Sequence, residues 1–233
     1  MDRESLRRLR EVTIRQISQP DDGITRLVLG GDNIAHFAGA LPAAWVKVFF
    51  TASVQAEGPG RAYTIRSIDR HNQTLTIDIV RHADGAAMRW LPLARCGDRI
   101  RIAGPRDGFE PDGVKTMLLF GDETALPAIA SIVEQLDNQT HVHLILLLRS
   151  PFRATLPAVR CRLDLCQLQT GTDDLASHVF DYLARHPVDR VWGAGEQRDV
   201  INIRKTLLRN GRQRSHTDIT AYWKQGEADH HDR

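Results

Sequence analysis

The sequence has little cysteine, no long apolar run and almost no charge imbalance, and each shortage removes a class of protein. Only three cysteines occur, and Cys161 and Cys166 stand far from Cys96 with no partner at zinc-site spacing. So sparse and odd a count fits neither a disulfide scaffold nor an internal iron–sulfur cluster, and it predicts reduced thiols in a cytoplasmic protein. The longest apolar stretch, from His143 to Leu148, is too short to span a bilayer, which predicts no membrane insertion. Met1-Asp2-Arg3-Glu4-Ser5 lacks the apolar core of a signal peptide. With a net charge of +2 and basic clusters broken by acids and apolar residues, the chain has no electrostatic footprint for nucleic acid. His141 and His143 share a strand face, but no acid or cysteine near them in sequence completes a metal set, so they read as a surface pair.

What remains is an ordinary soluble composition, 42% hydrophobic and 26% charged over 233 residues, enough for one large domain or two small ones. The grammar changes part-way along. Up to about residue 108 the signals are short strands and turns: Val12, Ile14 and Ile17; Ile24, Leu27 and Leu29 after the turn Gln19-Pro20-Asp21-Asp22-Gly23; Trp45 to Phe50; Arg61 to Arg66; Thr74 to Val80; and Arg99 to Ala103, closed by a Gly104-Pro105 break. Such spacing predicts an N-terminal six-stranded antiparallel Greek-key barrel. Beyond Pro111-Asp112-Gly113, strands alternate with helices. Leu126, Ile129, Ala130, Val133 and Leu136 keep a helical period, and later strands at 143–148, 162–168, 190–194 and 217–222 flank helices at 173–185 and 197–210. This predicts a C-terminal doubly wound parallel α/β domain, with domains at 1–111 and 112–233.

Three stretches carry candidate chemistry. In Arg61-Ala62-Tyr63-Thr64-Ile65-Arg66, the residues Arg61, Tyr63 and Ile65 share a strand face. A guanidinium can grip a phosphate, a phenol ring can lie on a planar ring, and a hydroxyl can reach a ring nitrogen. After the strand Thr74 to Val80, whose Leu75, Ile77 and Ile79 alternate with Thr76 and Asp78, the segment from His82 to Trp90 places Gly85, Ala86 and Ala87 at a helix start, where backbone amides can meet phosphate. In the second half, Gly121-Asp122-Glu123-Thr124-Ala125-Leu126-Pro127 and Trp192-Gly193-Ala194-Gly195-Glu196 both join a strand to a helix, at the strand ends where α/β sheets bind ligands. The first of these turns has no Gly-x-Gly-x-x-Gly, which disfavours a simple dinucleotide-binding dehydrogenase.

In this order the motifs resemble a ferredoxin-reductase-type flavoprotein. Together with Gly97-Asp98, Gly104-Pro105 and the late Tyr222-Trp223-Lys224-Gln225-Gly226, the chain resembles the siderophore-interacting proteins, FAD-dependent ferric-siderophore reductases of that superfamily, over nearly its whole length. The resemblance implies FAD as cofactor, NADPH or NADH as donor with a ferredoxin partner as the alternative donor, and a ferric siderophore as substrate. It assigns FAD to Arg61, Ala62, Tyr63, Thr64, Arg66, Asp78, His82, Ala83, Gly85, Ala86, Ala87 and Trp90. Thr64 lies nearest the reactive ring nitrogen and Arg61 lies on the pyrophosphate. Thr124 and Ala125 face flavin and nicotinamide, Glu196 lies near the same cleft, and Trp223 covers the exposed ring. Where many relatives have proline and serine in the phosphate cradle, this chain has Ala86 and Met88, which implies looser FAD binding. Because ferric siderophores are frequently anionic, Lys47, Arg106 and Lys224 are expected to meet the substrate. The alternatives are a flavin or ferredoxin-type reductase with another acceptor, and a non-catalytic flavoprotein that holds a ferric chelate.

Overall fold

A computed structural model describes residues 8–50, 60–82, 85–111, 113–150 and 152–227. The chain divides into two compact units, Met1–Glu110 and Pro111–Arg233.

The first unit is a closed antiparallel barrel. Its strands are β1 (Arg10–Asp21), β2 (Ile24–Gly30), β3 (Trp45–Phe49), β4 (Arg61–Asp69), β5 (Thr74–Val80) and β6 (Arg99–Arg106), in the order β1-β2-β5-β4-β3-β6. Alternate residues face inward, so Val12, Ile14, Leu27, Leu29, Val46, Val48, Leu75, Ile77, Ile79, Ile100 and Ile102 form one buried core. The strands depart from the expected bounds in several places, β4 running on past Arg66 to Asp69. β1 runs through Pro20 to Asp21, because the ladder jumps from Ser18 to Asp21 and leaves the proline where no ladder N–H is needed. β3 stops at Phe49. β6 does not break at Gly104-Pro105 but continues to Arg106: Ala103 pairs with Lys47 and Arg106 with Trp45, so the two residues between form a bulge that absorbs the proline. A short helix, α1 (Ala86–Trp90), follows β5.

The second unit is a five-stranded parallel sheet. Its strands are β7 (Thr116–Asp122), β8 (His141–Leu148), β9 (Arg162–Gln169), β10 (Arg190–Glu196) and β11 (Thr217–Trp223), in the order β11-β10-β7-β8-β9. Leu118, Phe120, Ile145, Val191 and Ile219 form one buried face packed with residues of α3 (Leu175–Arg185) and α4 (Gln197–Arg209). The helix after β7, α2 (Leu126–Val133), is buried at every residue rather than along a stripe, and it ends before Leu136, which is buried beyond its end. From β7 the chain runs outward through β8 to β9, then returns to β10 on the other side of β7. The winding therefore reverses between β7 and β10, and the carboxyl ends of those strands are Asp122 and Glu196.

Candidate functional site

The barrel carries the first group of residues. Cross-strand pairing sets Tyr63 against Val46, Arg61 against Val48 and Ile65 against Ile77, so Arg61, Tyr63 and Ile65 share the face of core residues. Tyr63 packs at the margin of that core, with its ring edge-on to Phe50 at 5.7 Å, and Phe50 in turn lies 4.8 Å from Trp90 of α1. Burial pushes the Tyr63 phenol above its ordinary range, and the positive charge of Arg61 opposes that rise. The opposite face of β4 carries exposed Ala62 and buried Thr64, while Arg66 is half-buried.

Around that strand, Gly85 has φ +150, and a Cβ there would lie 2.8 Å from the His82 ring, so the approach of His82 requires glycine. Among the described residues no side chain caps α1, whose first amides have no intrahelical acceptor, and Ala86 and Ala87 present little bulk beside them. A cation, an aromatic ring and uncapped amides suit an anionic nucleotide bearing a planar ring, and on that donor set the barrel fits FAD. Ala83 lies outside the described residues.

Three other expected residues of this unit have contacts within the barrel itself. Asp78 is buried, and Arg26 grips both its oxygens at 2.7 Å, joining β2 to β5. Lys47 lies across Gly60, where a Cβ would come within 2.8 Å of its stem. The guanidinium of Arg106 sits 5.1 Å over the Trp45 ring, and the Trp45 indole N–H donates to Asp107 at 2.7 Å.

The second group gathers at the carboxyl edge of the parallel sheet, around a residue that sequence reasoning did not single out. Asp122 is buried, and its Oδ1 accepts the Thr124 amide at 2.8 Å and the Thr124 hydroxyl at 2.5 Å. Its Oδ2 accepts the Glu196 amide at 2.9 Å and the Trp223 indole N–H at 2.7 Å. Burial raises its pKa to about 6; the Thr124 and Trp223 hydrogen bonds oppose the rise, and the charge of Glu123 adds to it. Gly195 must be glycine here, since its φ is +155 and a Cβ would stand 2.8 Å from Asp122 Oδ2.

Glu196 caps α4: its carboxylate accepts the Arg198 amide and, at 3.2 Å, the Gln225 amide. Ala125 is fully buried, and a Cβ on Gly121 would meet its methyl at 2.6 Å, so its side chain serves packing. Trp223 is 37% exposed, and half-buried Lys224 pairs with Glu227. The structure therefore brings Thr124, Glu196 and Trp223 together on Asp122, and it leaves Lys224 in a pair of its own. The one signal for Asp122 in the sequence is an Asp two residues before Thr at a strand-to-helix junction, a capping pattern. Nothing near Glu123 in the sequence announces its ion pair with Arg149. His141 bonds Asp164 at 2.5 Å and His143 stacks on Tyr182 at 3.9 Å, and among the described residues no cluster of three metal-binding side chains occurs.

Comparison with known proteins meets both groups. The family described as siderophore-interacting FAD-binding domain matches residues 51–109, and the family described as siderophore-interacting protein matches 114–226. The chain belongs to the siderophore-interacting protein family. It is 25% identical to the ferric acinetobactin reductase of Acinetobacter baumannii, over 93% of this chain and 78% of the relative. It is 27% identical to the NADPH-dependent ferric-chelate reductase of Escherichia coli K12, over 93% of each. Among solved structures, the siderophore-interacting protein from Acinetobacter baumannii superposes with a TM-score of 0.82 at 24% identity, over 95% of this chain and 92% of the other. The ferredoxin reductase of carbazole 1,9a-dioxygenase reaches 0.74 at 19% identity, over 93% and 68%. Both share the fold of barrel and parallel sheet.

Proposed function

We propose that this protein is an FAD-dependent reductase of ferric siderophores that takes its electrons from NADPH or NADH. One observation carries the reading: the FAD-binding family segment falls on the barrel and the siderophore-interacting segment on the parallel sheet.

When bound, FAD supplies a carrier that accepts a hydride and gives up electrons singly. The chain's own residues bind and orient. Arg61 would neutralise pyrophosphate, the amides of Gly85, Ala86 and Ala87 would donate to its oxygens, and Tyr63 and Thr64 would fix the ring, with Ala62, Arg66, His82 and Trp90 lending further contacts. Asp78 acts from the barrel wall, holding its strand through Arg26. In the second unit, Thr124, Glu196 and Trp223 form the edge that receives the nicotinamide donor, with Ala125 packed behind it. Ferric iron is a hard cation held by oxygen ligands, and the softer ferrous ion holds them less well, so reduction releases the metal without a protein acid or base. Lys47, Arg106 and Lys224 attract the anionic chelate. A separate ferredoxin is the alternative donor, and three cysteines without disulfide partners support a cytoplasmic setting.

The test is anaerobic. Purified protein, yellow with FAD, is expected to bleach with NADPH or NADH and to recover its colour on addition of a ferric siderophore while a chromogenic ligand traps ferrous iron. Protein that stays colourless with added FAD, or bleaches without yielding ferrous iron, sinks the reading. Arg61→Ala is expected to weaken FAD binding roughly tenfold, the worth of a lost charge-assisted hydrogen bond.

A further inference from the structure

Three strands end beside one buried carboxylate: Asp122 closes β7, Glu196 closes β10 and Trp223 closes β11. Two of the four donors aimed at Asp122 are backbone amides, those of Thr124 and Glu196, held by a cap and by the sheet. The other two can turn. The Thr124 hydroxyl rotates about one bond, and the Trp223 indole sits partly exposed at the end of the last strand.

We propose that Asp122 is a positioning residue: its ionised carboxylate pins the Trp223 indole to the carboxyl edge of the sheet and holds the Thr124 hydroxyl hydrogen inward. Neutralising it weakens the grip on the indole and frees that hydroxyl to donate outward. Both follow from the donor inventory. An ionised carboxylate only accepts, and all four contacts are donors; once protonated, the acid must itself donate, and the Thr124 oxygen is the one contact that can turn to accept. The indole then keeps only a neutral acceptor, about half as strong as a charged one.

The neighbouring charged groups are held by other partners, and the Glu123 charge adds to the burial that raises Asp122. Glu123 is paired with Arg149, Glu196 is occupied by the Arg198 and Gln225 amides, Lys224 is paired with Glu227, and among the described residues no cation pairs with Asp122. Burial places its titration at about 6, within reach of ordinary buffers. That a nicotinamide donor meets this edge rests on the function proposed above; the tie itself does not.

Tryptophan emission of the full chain, taken as wild type minus Trp223→Phe, isolates the indole. Its pH titration is expected to show one transition at about 6, lost in Asp122→Asn. Acrylamide quenching of Trp223 is expected to rise in the acid form, because the neutral acid holds the indole less strongly. A flat difference signal, or a transition that survives Asp122→Asn, overturns the proposal. Should Asp122→Asn not fold, carboxyl-carbon NMR decides between wild type and Trp223→Phe: loss of the indole donor is expected to raise the midpoint of Asp122, and an unmoved midpoint overturns the tie. A KM for NADPH and NADH that is unchanged in Trp223→Phe, with the emission transition intact, would instead count against placing the donor at this edge.

Discussion

At the scale of single residues, two buried carboxylates of similar exposure have opposite circumstances. Asp78 meets a guanidinium in a two-pronged grip, whereas Asp122 meets only neutral donors. Removing the cation from the first leaves a charge buried without its partner, so Arg26→Ala is expected to cost on the order of 2–3 kcal/mol in urea denaturation, discounted because the arginine is itself a third exposed. Replacing both residues with apolar ones is expected to cost less than that single change; an equal or greater cost would remove the pair from the account. For Asp122 the sign follows from a folded-state pKa raised above the ordinary value of 3.8. The folded chain binds this proton more tightly than the unfolded one, so the stability it contributes is complete below 3.8 and is lost as pH rises through about 6. Wild type is therefore expected to lose up to ~3 kcal/mol relative to Asp122→Asn over that interval. A difference that does not vary with pH would show that the acid titrates normally.

At the scale of elements, glycines decide how closely segments meet. Gly195, the penultimate residue of β10, has φ +155 against the Asp122 carboxylate, so Gly195→Ala combines a left-handed strain with a 2.8 Å contact. It is expected to lower the melting temperature by several degrees, the equivalent of roughly 1–3 kcal/mol, and to abolish the pH response of Trp223 emission. Unaltered melting and emission would mean that the junction yields freely. Several of these elements were legible in advance. Leu75, Ile77 and Ile79 alternate because a barrel strand buries one face, and all are fully buried. Helix α2 was legible as a helix but not in its burial, since a helix wrapped on every side carries no stripe from which to read its limits. The run of β6 through Gly104-Pro105 escaped because a bulge depends on what the neighbouring strand offers, and proline alone signals a break.

At the scale of the whole molecule, a net charge of +2 would favour the approach of an anionic ferric chelate over that of a cationic one. If Lys47, Arg106 and Lys224 attract the chelate, kcat/KM for an anionic ferric siderophore is expected to fall severalfold as salt rises from roughly 0.05 to 0.5 M, while that for a neutral chelate stays level. Equal salt dependence for the two would discard the basic contacts. The sequence by itself determined the division into strand-only and alternating halves, the barrel face of Arg61 and Tyr63, and the two strand-to-helix junctions of the sheet, because periodicity and turn chemistry are local properties of a chain. Only the tertiary structure decided that Asp122 holds Glu196 and Trp223, 74 and 101 residues away, and that Arg26 answers Asp78 across 52 residues. Those bonds exist because strand order brings distant ends side by side, and a buried acid finds its donors through packing, which no local pattern records.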